Sequence, residues 1–293
     1  MTISSPSAPT LGPATAGLRP GAAALRTGAA ALRTGAAQAE PLPVTDLGSG
    51  GPALVFVPGW CGDRTVFDPL IERSARHRRS VSVDLPGLGE SRAHGDYDSA
   101  ELADALVATL DAAGVEAFVP VALSHAGWTA LELRHRLGPE RVPGVVLLDW
   151  MPLGTPPGFA DALAGLQSPA WQEVRAALQD LWTAGLDLPA LQRYVADMGT
   201  YGQEHWRRAG REIAAGFERH PVPLEAFAAT QPCPVLHLYA QPTDPGLLAA
   251  QQAWAREHGW FSVRRLEAAS HFPMFEVPAE MVDAIEEFVE GLA

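Results

Sequence analysis

"VALSHAGW" (residues 121–128) carries a β-branched, aliphatic run into a serine and then into a helix-like stretch. A serine at a strand-to-helix junction between small residues is the nucleophile-elbow arrangement, whose usual form is Gly-x-Ser-x-Gly. Here Ala122 and Ala126 stand at the two glycine positions around Ser124, and Gly127 follows. The stretch alone leaves two roles open. Ser124 either attacks a substrate or holds one in place, and a serine that merely caps the next helix reads the same way locally.

Outward from Ser124, strands and helices alternate. "ALVFVPGW" (53–60) reads as a buried strand ending in a Pro-Gly turn, and "VFDPLIERSARH" after it has helical spacing. "SVSVDLPGLGES" is a strand entering a Gly-rich turn. "SAELADALVATLDAAG" is a helix with Ser99 as its expected cap and Gly114 as its stop. "AFVPVALS", the helix that ends near Gly138, and "VPGVVLLDW" continue the order. Residues 155–225 then hold only helix-like segments rich in Trp, Leu and Ala. After them strands and helices return in "CPVLHLYAQPTD", "PGLLAAQQAWAREHG", "FSVRRLEAASHF" and "PAEMVDAIEEFVEGL". Such alternation predicts a mostly parallel, doubly wound sheet covered on both faces. The expected organisation is an α/β core over 40–154 and 226–293, with a helical cap over 155–225 inserted after the strand that carries Asp149. Ligands of such sheets bind at the carboxyl edge of the strands, beneath such a cap.

Composition narrows the chemistry. The 293 residues are 47% hydrophobic and carry a formal net charge of −13. One sizeable core is expected, without a nucleic-acid or membrane partner. No run of 18 apolar residues marks a transmembrane helix. All 21 basic residues are arginine, which excludes Schiff-base lysine chemistry and a P-loop. Asparagine is absent too, which removes a Cys-His-Asn triad. Cys61 and Cys233 are too few for a disulfide framework or a zinc cluster, so we expect a cytoplasmic setting and no metal. Residues 1–39 lack acids and repeat "GAAALRT" in tandem. That composition predicts a disordered tail; a transit peptide is the other reading.

His271 follows the last expected strand, in "EAASHFPMF". With Ser124 upstream and an acid between them, the chain has the Ser, Asp, His order of the α/β-hydrolase fold. Two acids compete. Asp149 ends the strand after the elbow helix, and Asp244 ends the next one, in "YAQPTD". Spacing does not choose between them. The turn "VPGWCGD" (57–63) lies where backbone N–H groups help form an oxyanion hole. "DLPGLGES" (84–91) lacks the third glycine and the later acid of a dinucleotide fingerprint.

From about residue 53 onward the chain resembles the cofactor-independent 2,4-dioxygenases of 3-hydroxy-4(1H)-quinolones, the 3-hydroxy-4-oxoquinaldine type. The stretches that carry the resemblance are "PGWC", "SHAGW", "GPERVPGVVLLDW", "YAQPTDP", "EHGWFS" and "SHFP". The resemblance implies an aromatic N-heterocyclic substrate, O2 as co-substrate, and no cofactor. It makes His271, oriented by Asp149, the base that removes the substrate 3-hydroxyl proton. The anion then reacts with O2, and a bicyclic peroxide collapses to carbon monoxide and an N-acylanthranilate. It casts Ser124 as a hydrogen-bonding residue, and Trp60, Cys61, His125 and Trp182 as substrate contacts. An Asp149 oxygen is expected within hydrogen-bonding distance of a His271 ring nitrogen, roughly 2.6–3.2 Å.

The chain departs from the family pattern at three places. Gly62 stands where the family usually has a histidine associated with substrate binding, Leu123 stands for a frequent histidine, and Ala126 for a glycine. These changes suggest a bulkier apolar substrate such as a 2-alkyl quinolone. The competing readings are a serine hydrolase acting on an ester, amide or lactone, a non-hydrolytic rearrangement or lyase step on an aromatic metabolite, and a non-catalytic binding protein.

Overall fold

The computed structural model describes residues 41–92, 96–231 and 233–292. The segment read as a disordered tail lies outside the described residues. The chain begins with β1 (Val44–Leu47), β2 (Ala53–Val57), α1 (Asp68–Ser74), β3 (Ser80–Val83) and α2 (Ser99–Ala112). The elbow follows, between β4 (Phe118–Leu123) and α3 (Ala126–Arg141), and then comes β5 (Val145–Leu148). Helices α4 (Phe159–Leu166), α5 (Trp171–Thr183), α6 (Pro189–Met198), α7 (Gln203–Arg219) and α8 (Pro223–Ala228) run consecutively. The chain closes with β6 (Val235–Tyr239), α9 (Pro245–Glu257), β7 (Phe261–Arg265) and α10 (Pro278–Glu290).

The seven strands form one sheet in the order β1-β3-β2-β4-β5-β6-β7. Every pairing is parallel except that of β1 with β3. All residues of β2, β3, β4, β5 and β6 are buried, as expected for parallel strands covered on both faces. Alternate residues of β2 feed two separate cores. Ala53, Val55 and Val57 join one, and Leu54 and Phe56 join the other. The ends of the central strands are level: Val57 pairs with Ala122, Leu123 with Leu148, and Leu148 with Leu238. The turns after β2, β4, β5 and β6 therefore emerge at one edge.

Local sequence explains the connections. Asp98, one residue before the expected Ser99, caps α2; its side chain accepts from the Glu101 N–H while Glu101 reaches back, a capping box. Gly114, at φ +66°, ends that helix where only glycine is comfortable. In α3, a Cβ on Gly127 would lie 2.5 Å from the Trp150 ring, so the elbow helix and β5 approach through this glycine. Gly138 breaks the helical path of α3. The "DLPGLGES" turn proves structural: the fully buried Asp84 carboxylate accepts from the N–H groups of Arg64 (2.9 Å) and Glu90 (2.8 Å) and pairs with the Arg64 guanidinium.

Helices α4 to α7 cover the carboxyl edge. Helix α8 behaves as part of the core, because Leu224 and Phe227 pack in the cluster that holds Trp150. The expected cap boundary at 225/226 thus falls inside α8. Among the described residues no helix is long and apolar enough to cross a membrane.

Candidate active site

Three strand-end turns deliver the polar residues, and two of them require a strained backbone. Ser124 has φ +55° and Asp149 φ +44°, left-handed values that non-glycine residues seldom adopt. Each turn is pinned to the neighbouring strand. The Ser124 N–H donates to the Leu148 carbonyl (2.7 Å), and the Asp149 N–H to the Leu238 carbonyl (2.9 Å). The turn after β2 closes with Gly62 N–H donating to the Gly59 carbonyl (3.3 Å), with Cys61 at φ +55° inside it. Gly59 abuts the elbow; a Cβ there would lie 3.6 Å from the Ser124 Cβ. Among the described residues the backbone N–H groups of Trp60 and His125 have no acceptor. Two free amides flanking Ser124 are the donors an oxyanion hole needs.

These turns open into a cavity of about 560 Å³. Its floor holds Ser124, His125, Asp149 and His271, with Trp60 beside them. The cap supplies an apolar wall that includes Phe159, Leu163, Leu178, Met198 and Ile213. Trp182 of α5 stacks on the His271 ring (5.5 Å between centroids, 25°) and on Trp206 of α7 (6.4 Å, 23°). The His271 N–H donates to the Trp182 carbonyl at 2.8 Å, so the cap also fixes the histidine's backbone.

Asp149, not Asp244, is the acid beside the histidine. Its Oδ1 stands 3.7 Å from His271 Nδ1. That is an ion-pair distance and longer than the expected hydrogen bond. The carboxylate is occupied from the other side: the N–H groups of Ala240 and Gln241 donate to it at 3.0 and 2.9 Å. Burial pushes the Asp149 carboxyl pKa up, and the nearby His271 ring and these two amides oppose the rise. Asp244 is exposed and caps α9, accepting from the Gly246 N–H at 2.7 Å. No hydrogen bond joins Ser124 to His271.

The remaining expected contacts divide. Trp60, His125 and Trp182 line the cavity, whereas Cys61 does not. This corrects the expectation for Cys61: its turn conformation sends the side chain into the core cluster that holds Val66 and Phe67. Burial raises its thiol pKa far above the usual value, leaving an inert thiol. His125 is kept neutral; burial, and then the charge of His271, push its pKa well below the usual value. Among the described residues no group of three or more His, Cys, Asp or Glu could hold a metal ion.

Sequence reading does not single out two residues that serve the site. His237, wholly buried in β6, accepts from the Trp150 N–H through Nε2 (3.3 Å) and meets Gln251 Oε1 through Nδ1 (2.6 Å). It therefore braces the residue next to Asp149. Tyr194 of α6 forms part of the cavity wall. Neither carries a local signal, since a histidine in "VLHLY" and a tyrosine in an amphipathic helix read as core. The "QPT" loop, by contrast, gains a concrete role. Gln241 Nε2 donates to the carbonyls of Leu181 (3.0 Å) and Ala269 (2.8 Å), tying the end of α5 to the loop of His271.

A parallel sheet whose carboxyl edge presents Ser124, Asp149 and His271 in that chain order, beneath a helical cap, defines the α/β-hydrolase class. The model of the "Alpha/beta hydrolase family" accordingly matches residues 54–284. A 2-heptyl-3-hydroxy-4(1H)-quinolone dioxygenase of Mycobacteroides abscessus is 36% identical over 243 residues, which span 80% of this chain and 90% of the relative. A 1H-3-hydroxy-4-oxoquinoline 2,4-dioxygenase of Pseudomonas putida is 32% identical over 244 residues, 82% of this chain and 92% of the relative. The solved structure of an AqdC variant with its substrate, the Pseudomonas quinolone signal, superposes with a TM-score of 0.81 at 35% identity. It covers 85% of this chain and 95% of its own. The chain belongs to the 3-hydroxy-4-quinolone dioxygenases of the α/β-hydrolase family.

Proposed function

We propose that this protein cleaves the heterocyclic ring of a 2-alkyl-3-hydroxy-4(1H)-quinolone with O2, releasing carbon monoxide and an N-acylanthranilate. The observation that carries the reading is the pairing of His271. Its ring stands 3.7 Å from Asp149, stacks under Trp182 and lines the cavity floor. A histidine placed this way can take a proton from a bound substrate.

The chemistry follows from charge. Triplet O2 reacts slowly with closed-shell molecules unless an electron is readily given up. His271 takes the 3-hydroxyl proton, and Asp149 stabilises the imidazolium that forms. The ring anion delivers electrons to O2 and bonds to it through C2. The peroxide closes on C4; cleavage of the O–O, C2–C3 and C3–C4 bonds expels C3 with its oxygen as carbon monoxide. The two free amides beside Ser124 hold negative charge that develops on a ring oxygen. Ser124 hydrogen-bonds the substrate. The aliphatic cap wall takes the alkyl chain, which matches the 2-heptyl group in the name of the Mycobacteroides relative.

Purified protein incubated in air with 2-heptyl-3-hydroxy-4(1H)-quinolone tests this, with O2 uptake and carbon monoxide release as readouts. His271→Ala is expected to lose roughly 10²–10⁴-fold in kcat/KM. Ser124→Ala loses much less, about 1–3 kcal/mol for one buried hydrogen bond. Covalent labelling of Ser124 by a fluorophosphonate, with turnover abolished in Ser124→Ala, would establish the serine hydrolase instead.

A further inference from the structure

Tyr194 is 5% exposed, yet its ring belongs to the cavity wall. The ring packs edge-on against Phe272 (5.3 Å between centroids, 73°) and beside Phe275 (5.8 Å), both just after His271. Its hydroxyl reaches the turn after β2. A Cβ on Gly62 would overlap the Tyr194 oxygen and stand 3.3 Å from its Cζ, so the absence of a side chain at 62 makes room for the hydroxyl. The backbone N–H of Asp63 faces the same oxygen. Among the described residues no hydrogen bond uses the O–H proton. Burial, reinforced by the charge of Asp63, holds the phenol pKa well above its usual value, so the group is a hydrogen-bond donor and never a phenolate at physiological pH. A phenol in an aromatic and aliphatic cavity wall is well placed to give its proton to a polar atom of a bound ligand.

We propose that Tyr194 recognises substrate: its hydroxyl donates a hydrogen bond to a ring oxygen of the bound heteroaromatic, and Gly62 is required because a larger residue would displace that hydroxyl. The inference rests on the quinolone reading above. The 3- and 4-oxygens are the strong acceptors on such a ring. The hydroxyl approaches from the cap, whereas the free amides of Trp60 and His125 approach from the sheet edge. The ring is thereby held by donors on two sides, and its position along the cavity is fixed by polarity as well as by shape.

The test is anaerobic binding, followed by tryptophan fluorescence. Its ligands are 2-heptyl-3-hydroxy-4(1H)-quinolone and 2-heptylquinoline, which lacks ring oxygens. Tyr194→Phe should bind the hydroxyquinolone about tenfold more weakly, the usual worth of one net hydrogen bond. In air its KM should rise by a similar factor with kcat nearly unchanged, because the bond is present in ground and transition states alike. 2-Heptylquinoline should bind wild type and Tyr194→Phe equally. Unchanged affinity of Tyr194→Phe for the hydroxyquinolone, or an equal loss for both ligands, overturns the proposal. Gly62→Ala should lower both melting temperature and affinity, and Gly62→Ala/Tyr194→Phe should restore the melt while keeping the weakened affinity. Gly62→Ala with wild-type melt and affinity overturns the steric half. A wild-type protein that neither binds the hydroxyquinolone nor consumes O2 with it overturns the functional reading, and this inference falls with it.

Discussion

Asp149 and Asp244 occupy turns after adjacent strands, β5 and β6, at the same edge of the sheet, and they do different work. Asp149 is buried in a left-handed turn, receives two backbone N–H groups and faces His271. Asp244 is exposed and closes the first turn of α9. The residue type, the strand-end position and the distance from His271 along the chain say little about which is which. What separates them is enclosure. One carboxylate is surrounded by donors that hold its negative charge in a dry place, and the other is solvated and spends its oxygen on a helix N-terminus.

The largest expected effect falls on Asp149. Asp149→Ala should lower kcat/KM by roughly 10²–10⁴-fold, comparable to His271→Ala, and the double variant should lose little more because the two act as a unit. Steady-state kinetics by O2 electrode checks both. If Asp244→Ala produced that loss while Asp149→Ala retained activity, the contrast between the two turns would collapse.

The support behind Asp149 gives the next effect. His237 braces Trp150 only when neutral, since its Nε2 must accept the Trp150 N–H. Burial lowers its pKa to about 4. Unfolded, the same histidine titrates at about 6.5. The unfolded chain therefore binds the extra proton first. The stabilisation is complete above that value, declines as pH falls below it, and is gone once pH passes through about 4. The loss amounts to about 3 kcal/mol over this window. Urea midpoints at neutral pH and at acid pH should show it, and His237→Gln should flatten the dependence. Among the described residues no buried histidine braces the turn of Asp244 in this way.

Asp244→Ala is the smallest. Losing one exposed helix cap costs about 1 kcal/mol, and a melting curve should shift by only a few degrees. Its kcat should stay near that of wild type. A large kinetic defect there would mean that the loop after β6 carries chemistry after all.

Much of the fold is legible in the residues, because hydrophobic runs and glycine stops mark each strand and helix locally. The edge strand β1 is the exception. "VTDL" is four residues long with two exposed, and only its backbone pairing with β3 makes it a strand. The site is legible where strand ends announce it, at Ser124 and His271, and the acid needed the family resemblance. Cys61 misleads because nothing in the letters shows a turn rotating its side chain inward. Tyr194 and His237 are invisible for a related reason. Their roles arise only once α6 folds over the β2 turn and β6 packs beside β5, and such contacts leave no periodicity or spacing behind.

Ser124 and Asp149 share a left-handed backbone that costs on the order of 1–3 kcal/mol at each residue. Glycine would relieve that strain at either position, and it would also delete the side chain the turn exists to present. Improving heat resistance and preserving function are therefore opposed at Ser124, whereas glycine at Asp149 would also strip the acceptor from the Ala240 and Gln241 N–H groups. A mutant library ranked by melting temperature alone would be drawn toward glycine at 124, and away from the hydroxyl that the elbow presents. Any attempt to toughen this protein should hold residues 124 and 149 fixed and seek its gains elsewhere, with Ala184 at φ +53° a natural first place to try glycine.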